Sequence, residues 1–318
     1  MRAAALFLSA VLLSPGGAGA FFWKKKPDPA HEKLLQEAVA GLEAGDCGRA
    51  VASINSLLEL SPARGIKERA YYCLGKCQEA LGASDKAMAS YRLAAALYPD
   101  NALFPRALAD LYLANGFYDK AVPLYLPLLK KEPGSVPLNL GLARSYAGLG
   151  ALAQAAASYA DAREAGASGP AFLSEYAGCL EAARDFAGAA ALLEEAKAAA
   201  PADRGVVGAL ARLKARSGDY ARAAELAAEA CGADCRDGDL FFERGLYLLF
   251  AGDRKGALAA FDEAGRFLPE GDQPLALARG LALRALGRGG EAARAFGEAA
   301  AGESRFLAGF AQAAGGGR

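Results

Sequence analysis

The sequence predicts an all-α protein, a right-handed α-solenoid of about eight helix-turn-helix repeats closed by a C-terminal capping helix. Three observations carry that prediction. An alanine recurs at Ala50, Ala87, Ala121, Ala155, Ala189, Ala223, Ala257 and Ala292, at intervals of 37, 34, 34, 34, 34, 34 and 35 residues, and a period near 34 is one pair of helices. Twelve residues before each stands a second small residue: Ala38, Gly75, Ala109, Ala143, Ala177, Ala211, Gly245 and Gly280. Five residues before the alanine the chain has glycine in seven cases and Arg184 in the other, which is where a first helix must stop and reverse.

Each part of the repeat has a physical reason. Two small residues facing each other let the helix backbones approach while larger side chains interlock around them. One helical turn past the alanine come Ile54, Tyr91, Tyr125, Tyr159, Leu193, Ala227, Phe261 and Phe296, a bulky apolar group in all but the sixth repeat. Pro62, Pro99, Pro133, Pro201 and Pro269 follow twelve residues after the alanine and close the second helix, which proline cannot continue.

This pattern resembles the tetratricopeptide repeat family, and residues 68–101, with Tyr71, Leu74, Gly75, Gly82, Ala87, Tyr91, Ala94 and Pro99, match it best. The resemblance divides the chain in order. Residues 1–20 are a signal peptide and 21–30 a linker. The repeats are 31–64, 68–101, 102–135, 136–169, 170–203, 204–237, 238–271 and 273–302, and 303–318 form a capping helix and tail. Pro105, Pro123 and Pro127 fall inside helices of the third repeat; the first two suit helix starts, whereas Pro127 is expected to bend its helix. In the sixth repeat Ala227 and Cys235 stand where the aromatic and the proline belong.

The leader is read from its own residues. Met1-Arg2, the apolar run Ala3 to Leu13, the break Pro15-Gly16-Gly17 and Ala18-Gly19-Ala20 have the order of a secretory signal, with cleavage before Phe21. That places the protein in the periplasm or cell envelope. The alternative is an uncleaved span, Ala3 to Trp23, with Lys24, Lys25 and Lys26 holding the repeats in the cytoplasm beside the inner membrane. Six cysteines, an even number, suit an oxidising compartment. Cys47–Cys77 and Cys231–Cys235 are the candidate disulfides. Cys77 and Cys179 also read as small buried apolar residues.

Composition excludes several functions. With 36 basic and 36 acidic residues the chain lacks the basic excess that nucleic acid requires. One histidine, His31, and no phosphate-binding, nucleophile-elbow or dinucleotide motif leave no catalytic constellation, no cofactor and no metal centre. The expected function is a non-enzymatic scaffold or adaptor of the cell envelope that holds a peptide or protein. The other reading is a structural subunit that assembles, with itself or with other proteins, by packing of repeats.

The resemblance implies a concave surface lined by the first helix of each repeat. At its inner positions stand Arg69, Tyr72 and Lys76, then Arg106 and Asp110, Arg144, and Arg212 and Arg216, a mostly basic wall suited to an acidic or C-terminal carboxylate group of a peptide. The family's carboxylate clamp also uses asparagine, which these positions lack. In the seventh repeat Phe242, Leu246, Leu249 and Phe250 make the same face apolar, extended by Leu277 and Leu281. Its first helix, Leu240 to Phe250, is apolar nearly all round and calls for cover on more than one side. The candidates are a partner segment, a second copy, Phe21-Phe22-Trp23, or the terminal helix with Phe306, Leu307 and Phe310.

Overall fold

A computed structural model describes residues 28–232 and 235–316. The leader, Phe21-Phe22-Trp23 and the three lysines lie outside the described residues. Seventeen helices and no strand occur among the described residues, and no described helix is long and apolar enough to cross a membrane. The chain falls into two compact units that divide between Gly166 and Ala167.

The N-terminal unit holds α1 (Pro29–Glu43), α2 (Cys47–Glu59), α3 (Arg64–Ala80), α4 (Ser84–Leu97), α5 (Leu103–Ala114), α6 (Tyr118–Lys131), α7 (Val136–Gly148) and α8 (Leu152–Glu164). Each odd-numbered helix packs on the even one that follows, and each even one on the next odd one, so four repeats share one continuous row of contacts. The 37-residue interval is absorbed by α3, a 17-residue helix that starts one turn before the predicted repeat boundary. Pro123 and Pro127 both lie in α6, which continues through them. Both rings are exposed, so the carbonyls four residues earlier face the solvent side of the helix.

The C-terminal unit holds α9 (Pro170–Ala182), α10 (Phe186–Ala199), α11 (Arg204–Arg216), α12 (Tyr220–Cys231), α13 (Gly238–Ala251), α14 (Arg254–Ala264), α15 (Gln273–Ala285), α16 (Gly289–Ala300) and α17 (Arg305–Gly316). Aspartates start six consecutive helices here: Asp185, Asp203, Asp219, Asp237, Asp253 and Asp272 each accept a backbone N–H of the first turn. Such caps satisfy donors that a helix start leaves unpaired.

The predicted crossing is present in both units. A Cβ at Gly75 would run into the ring of Tyr91, one at Gly245 into Phe261, and one at Gly280 into Phe296. The small residue is therefore the seat of the aromatic ring, and Tyr91 and Phe261 are fully buried on such seats. At the turns, Gly82 and Gly252 adopt φ of 71° and 90°, and Arg184 takes the same left-handed conformation at 66°. A side chain there costs about 1–2 kcal/mol, partly offset by the greater freedom glycine has in the unfolded chain. Arg184→Gly is expected to stabilise the protein by about 0.5–1 kcal/mol, read as a higher urea midpoint; a lower midpoint would mean that Arg184, stacked 5.9 Å from the centre of Phe186, contributes more than the strain removes.

Cys231 and Cys235 are bonded to each other, Cα to Cα 5.0 Å, where the sixth repeat lacks its aromatic and its proline. The other proposed pair is not a disulfide. Cys47 and Cys77 are free thiols buried side by side against Ala50, filling the volume that small apolar residues fill elsewhere. Burial, followed by its hydrogen bond to Cys47, pushes the Cys77 thiol up to about 12, and burial pushes Cys73 up to about 11. Both stay protonated and unreactive at neutral pH.

The terminal helix caps the last repeat, as expected. α17 lies on α16 and α15, with Ala311 fully buried against Ala276 and Ala299, while Phe310 is half exposed. Phe306 is outside the described side chains. Gln273, 9% exposed, fastens the turn: its Nε2 donates to the carbonyls of Ala299 at 2.7 Å and Ser304 at 3.2 Å, and its Oε1 accepts from the Ser304 N–H at 3.0 Å.

Candidate functional site

In the N-terminal unit the inner positions of α3, α5 and α7 carry charges of both signs. Arg69 is paired with Glu32 of α1 at 3.4 Å and Lys76 with Glu79 at 3.1 Å. Glu79 also accepts a hydrogen bond from the Tyr91 hydroxyl at 2.5 Å, and Asp110 accepts one from Tyr125 at 2.7 Å. The ring of Tyr72 lies 6.4 Å from that of Tyr91. The wall expected to be mostly basic is therefore a row of compensated pairs over its α3 part.

The tyrosine hydroxyls record which charges gather around them. Burial raises the Tyr125 pKa most, the Asp110 carboxylate raises it further, and the guanidinium groups of Arg106 and Arg144 pull it back. Burial likewise raises Tyr72, against the lowering effect of Lys76, with Glu79, Cys73 and Asp110 adding to the rise. Tyr125, Asp110, Arg106 and Arg144 are thus one polar cluster drawn from α5, α6 and α7. The pairs around Arg69 and Lys76 are neutral. Sequence reading missed Glu79, which occupies an inner position like its neighbours, and missed the reach of Tyr91 and Tyr125. The available signal was the hydroxyl itself: repeats two to four carry tyrosine where the seventh and eighth carry phenylalanine.

In the C-terminal unit Arg216 is bound to Glu181 at 2.6 Å and stacks 5.2 Å from the centre of the Phe186 ring. Arg212 is exposed and has no ion-pair partner among the described residues. Its charge acts on Tyr247 of α13, opposing burial and Glu243, which together push that phenol up to about 12.

The apolar helix α13 is not covered as its composition led us to expect. None of its eight large apolar side chains is buried. Phe242, Leu246 and Leu249 pack only partly against the cluster around Phe261, and Phe250 is 65% exposed, 5.2 Å from the ring of Tyr220. Arg244 stands in register with Leu74, Leu108, Leu142 and Leu210, all buried. Its Nε is buried without a hydrogen-bond partner. An arginine in a core leucine's place cannot be drawn deeper without desolvating its charge, while α13 still packs closely on α14, with Gly245 against the ring of Phe261. The terminal helix sits on α15 and α16 and leaves this face open among the described residues.

No group of three or more histidine, cysteine or acidic residues that could hold a metal ion occurs among the described residues. A family model described as tetratricopeptide repeat matches residues 35–102, 106–170 and 140–204. No curated protein matches the chain. Among solved structures, it is similar to a tetratricopeptide repeat protein from Parabacteroides merdae, at 19% identity over 80% of this chain and 100% of that one, with a TM-score of 0.57. It is similar to YrrB, described as a TPR protein with an unusual peptide-binding site, at 18% identity over 62% and 97%, with a TM-score of 0.50. A third is PilW, described as a widely conserved type IV pilus biogenesis factor, at 19% identity over 66% and 97%, with a TM-score of 0.50. At such identities the likeness is one of fold.

Proposed function

The chain belongs to the tetratricopeptide repeat family, and from that premise we propose that it is a non-enzymatic adaptor of the cell envelope whose N-terminal unit binds an extended peptide of a partner protein. The observation that carries the reading is the convergence of Arg106 and Arg144 on the Tyr125–Asp110 bond. Arginine binds an acidic side chain or a C-terminal carboxylate with directed, charge-assisted bonds. Tyr72 supplies a half-buried ring beside it for the apolar part of the peptide. Arg69, paired with Glu32, ties α3 to α1, and Lys76 is paired within α3. The likeness to YrrB, a TPR protein with an unusual peptide-binding site, points the same way.

Residues 1–20 and the Cys231–Cys235 disulfide support export, since such bonds persist in oxidising compartments. The mass of the mature protein tests it: a chain beginning at Phe21 is expected, and retention of Met1 would favour the membrane-held alternative. For the groove, crosslinking and capture from native envelopes, followed by titration with the captured partner, is the direct test. Arg106→Glu and Arg144→Glu are each expected to weaken that partner about tenfold, near 1.4 kcal/mol, with unchanged thermal unfolding. Equal affinity in a folded double variant would remove this cluster from the function.

A further inference from the structure

The second helices of the repeats differ in what they show to the outside. Within their bounds, α8, α10, α12 and α16 each hold one more acidic than basic residue, and α2 and α14 hold equal numbers. The balance reverses in α4, with Asp85, Lys86 and Arg92, and in α6, with Asp119, Lys120, Lys130 and Lys131. All five of these cations are exposed, and none is in an ion pair among the described residues. The same two helices expose large apolar side chains. Leu93 and Leu97 are 50% and 51% exposed, one turn apart on α4, and Leu126 on α6 is 41% exposed. No other second helix does so among the described residues.

Tyr91 and Ala94 of α4 and Tyr125 and Leu128 of α6 are buried in one core with α5. They stand at equivalent places in successive repeats, so the faces opposite them look outward side by side. The patch ends at α8, whose Asp161 and Glu164 border the hollow beside Leu126 and Lys130. We propose that the outward face of α4 and α6 seats the protein on a bilayer that contains anionic phospholipid. The three leucines enter the boundary between headgroups and acyl chains, and the lysine stems let the ammonium groups stay at the level of the lipid phosphates. Charge complementarity selects this occupant, because a second copy would bring the same positive charge against it. The cations of α6 run from Lys120 to Lys131, about 16 Å at 1.5 Å per residue. Fluid headgroups gather at each of them, whereas an acidic peptide would have to match their spacing.

The test uses the full chain with Leu93→Cys carrying an environment-sensitive fluorophore; the four native free thiols are buried and do not compete for the label. On vesicles of phosphatidylcholine with phosphatidylglycerol, the emission should shift to the blue and nitroxide-labelled lipid should quench it. Vesicles of phosphatidylcholine alone should change neither. The label reads burial of this face in lipid, which attachment through the leader alone does not produce. A label at Ala191→Cys, exposed on the acidic helix α10, should show neither change. Lys86→Gln with Lys131→Gln should raise the lipid concentration at half-shift by about tenfold or more, since each cation near an anionic surface is worth roughly fivefold. Leu97→Ser should raise it severalfold. Urea unfolding should be unchanged in both variants, because all three side chains are exposed.

Several results overturn the proposal. These are no shift on the phosphatidylglycerol vesicles, equal quenching of the label at Ala191→Cys, or a half-shift indifferent to Lys86→Gln with Lys131→Gln. A blue shift of the same size with poly-glutamate in place of vesicles would assign the face to an acidic protein. A shift that appears without lipid and grows with protein concentration would assign it to a second copy.

Discussion

Phe261→Ala is expected to lower stability by about 3–5 kcal/mol, a large loss for a single substitution. The ring is fully buried, sits on Gly245, and touches Phe242 with centroids 5.9 Å apart. Deleting it removes the surface on which α13, α14 and α15 meet. Neighbours cannot close the hole, because Gly245 has no side chain to move and Ala257, Ala264 and Ala278 are too small to reach across it. Urea unfolding should show the loss as a lower midpoint. A change under about 1 kcal/mol, the scale of a surface substitution, would mean that the ring is not packed as described. Phe261→Leu, keeping most of the volume, should recover much of the difference.

That packing site is legible in the sequence, because the small residue and the aromatic stand sixteen residues apart in the same repeat and the period repeats the pair. The same logic marks Ala227 and Cys235 as departures, and the bond from Cys231 to Cys235 lies there. Other features depend on geometry that the period does not carry. Glu79 and Asp110 can be placed on the inner helices from sequence, but their capture by Tyr91 and Tyr125 depends on how far a hydroxyl on the second helix projects past its seat. The period brings Cys47 and Cys77 close, yet their closeness serves packing and not a bond. The partial exposure of Phe242, Leu246 and Leu249 on α13 likewise cannot be read from the period. The division between Gly166 and Ala167 also has a local trace. The fourth repeat lacks its closing proline, and Gly166 and Gly169 both take positive φ, 102° and 97°.

Replacing both Cys231 and Cys235 by alanine is expected to cost about 2 kcal/mol, the chain-entropy value for so short a loop. The bond joins the last residue of α12 to the segment leading into the Asp237 cap of α13. Without it, the turn through Gly232, with its φ of 66°, has neither a proline nor an aromatic to hold it. A reductant should therefore lower the melting temperature of the parent protein and leave that of the double variant unchanged. An unchanged parent would show that Ala223, Ala227 and Ala230, all buried, suffice to hold α12. Thiol titration gives an independent count: four reactive thiols in the unfolded, unreduced chain, from Cys47, Cys73, Cys77 and Cys179, and almost none while it is folded, since all four are buried. Two additional thiols before reduction would remove the disulfide.

The seal at α17 has a consequence for assembly. Stacked helix pairs are open-ended in principle, because the face that receives one pair is the face that receives the next. Here the receiving face of α15 and α16 is taken, and the Gln273 amide is committed to Ala299 and Ser304. For another molecule to add its first helix there, α17 would have to lift, and the two bonds between Gln273 and Ser304 and the burial of Ala311 would be lost before any new contact forms. The C-terminal helix thus works as a chain terminator, and filaments built by head-to-tail addition at this end are disfavoured.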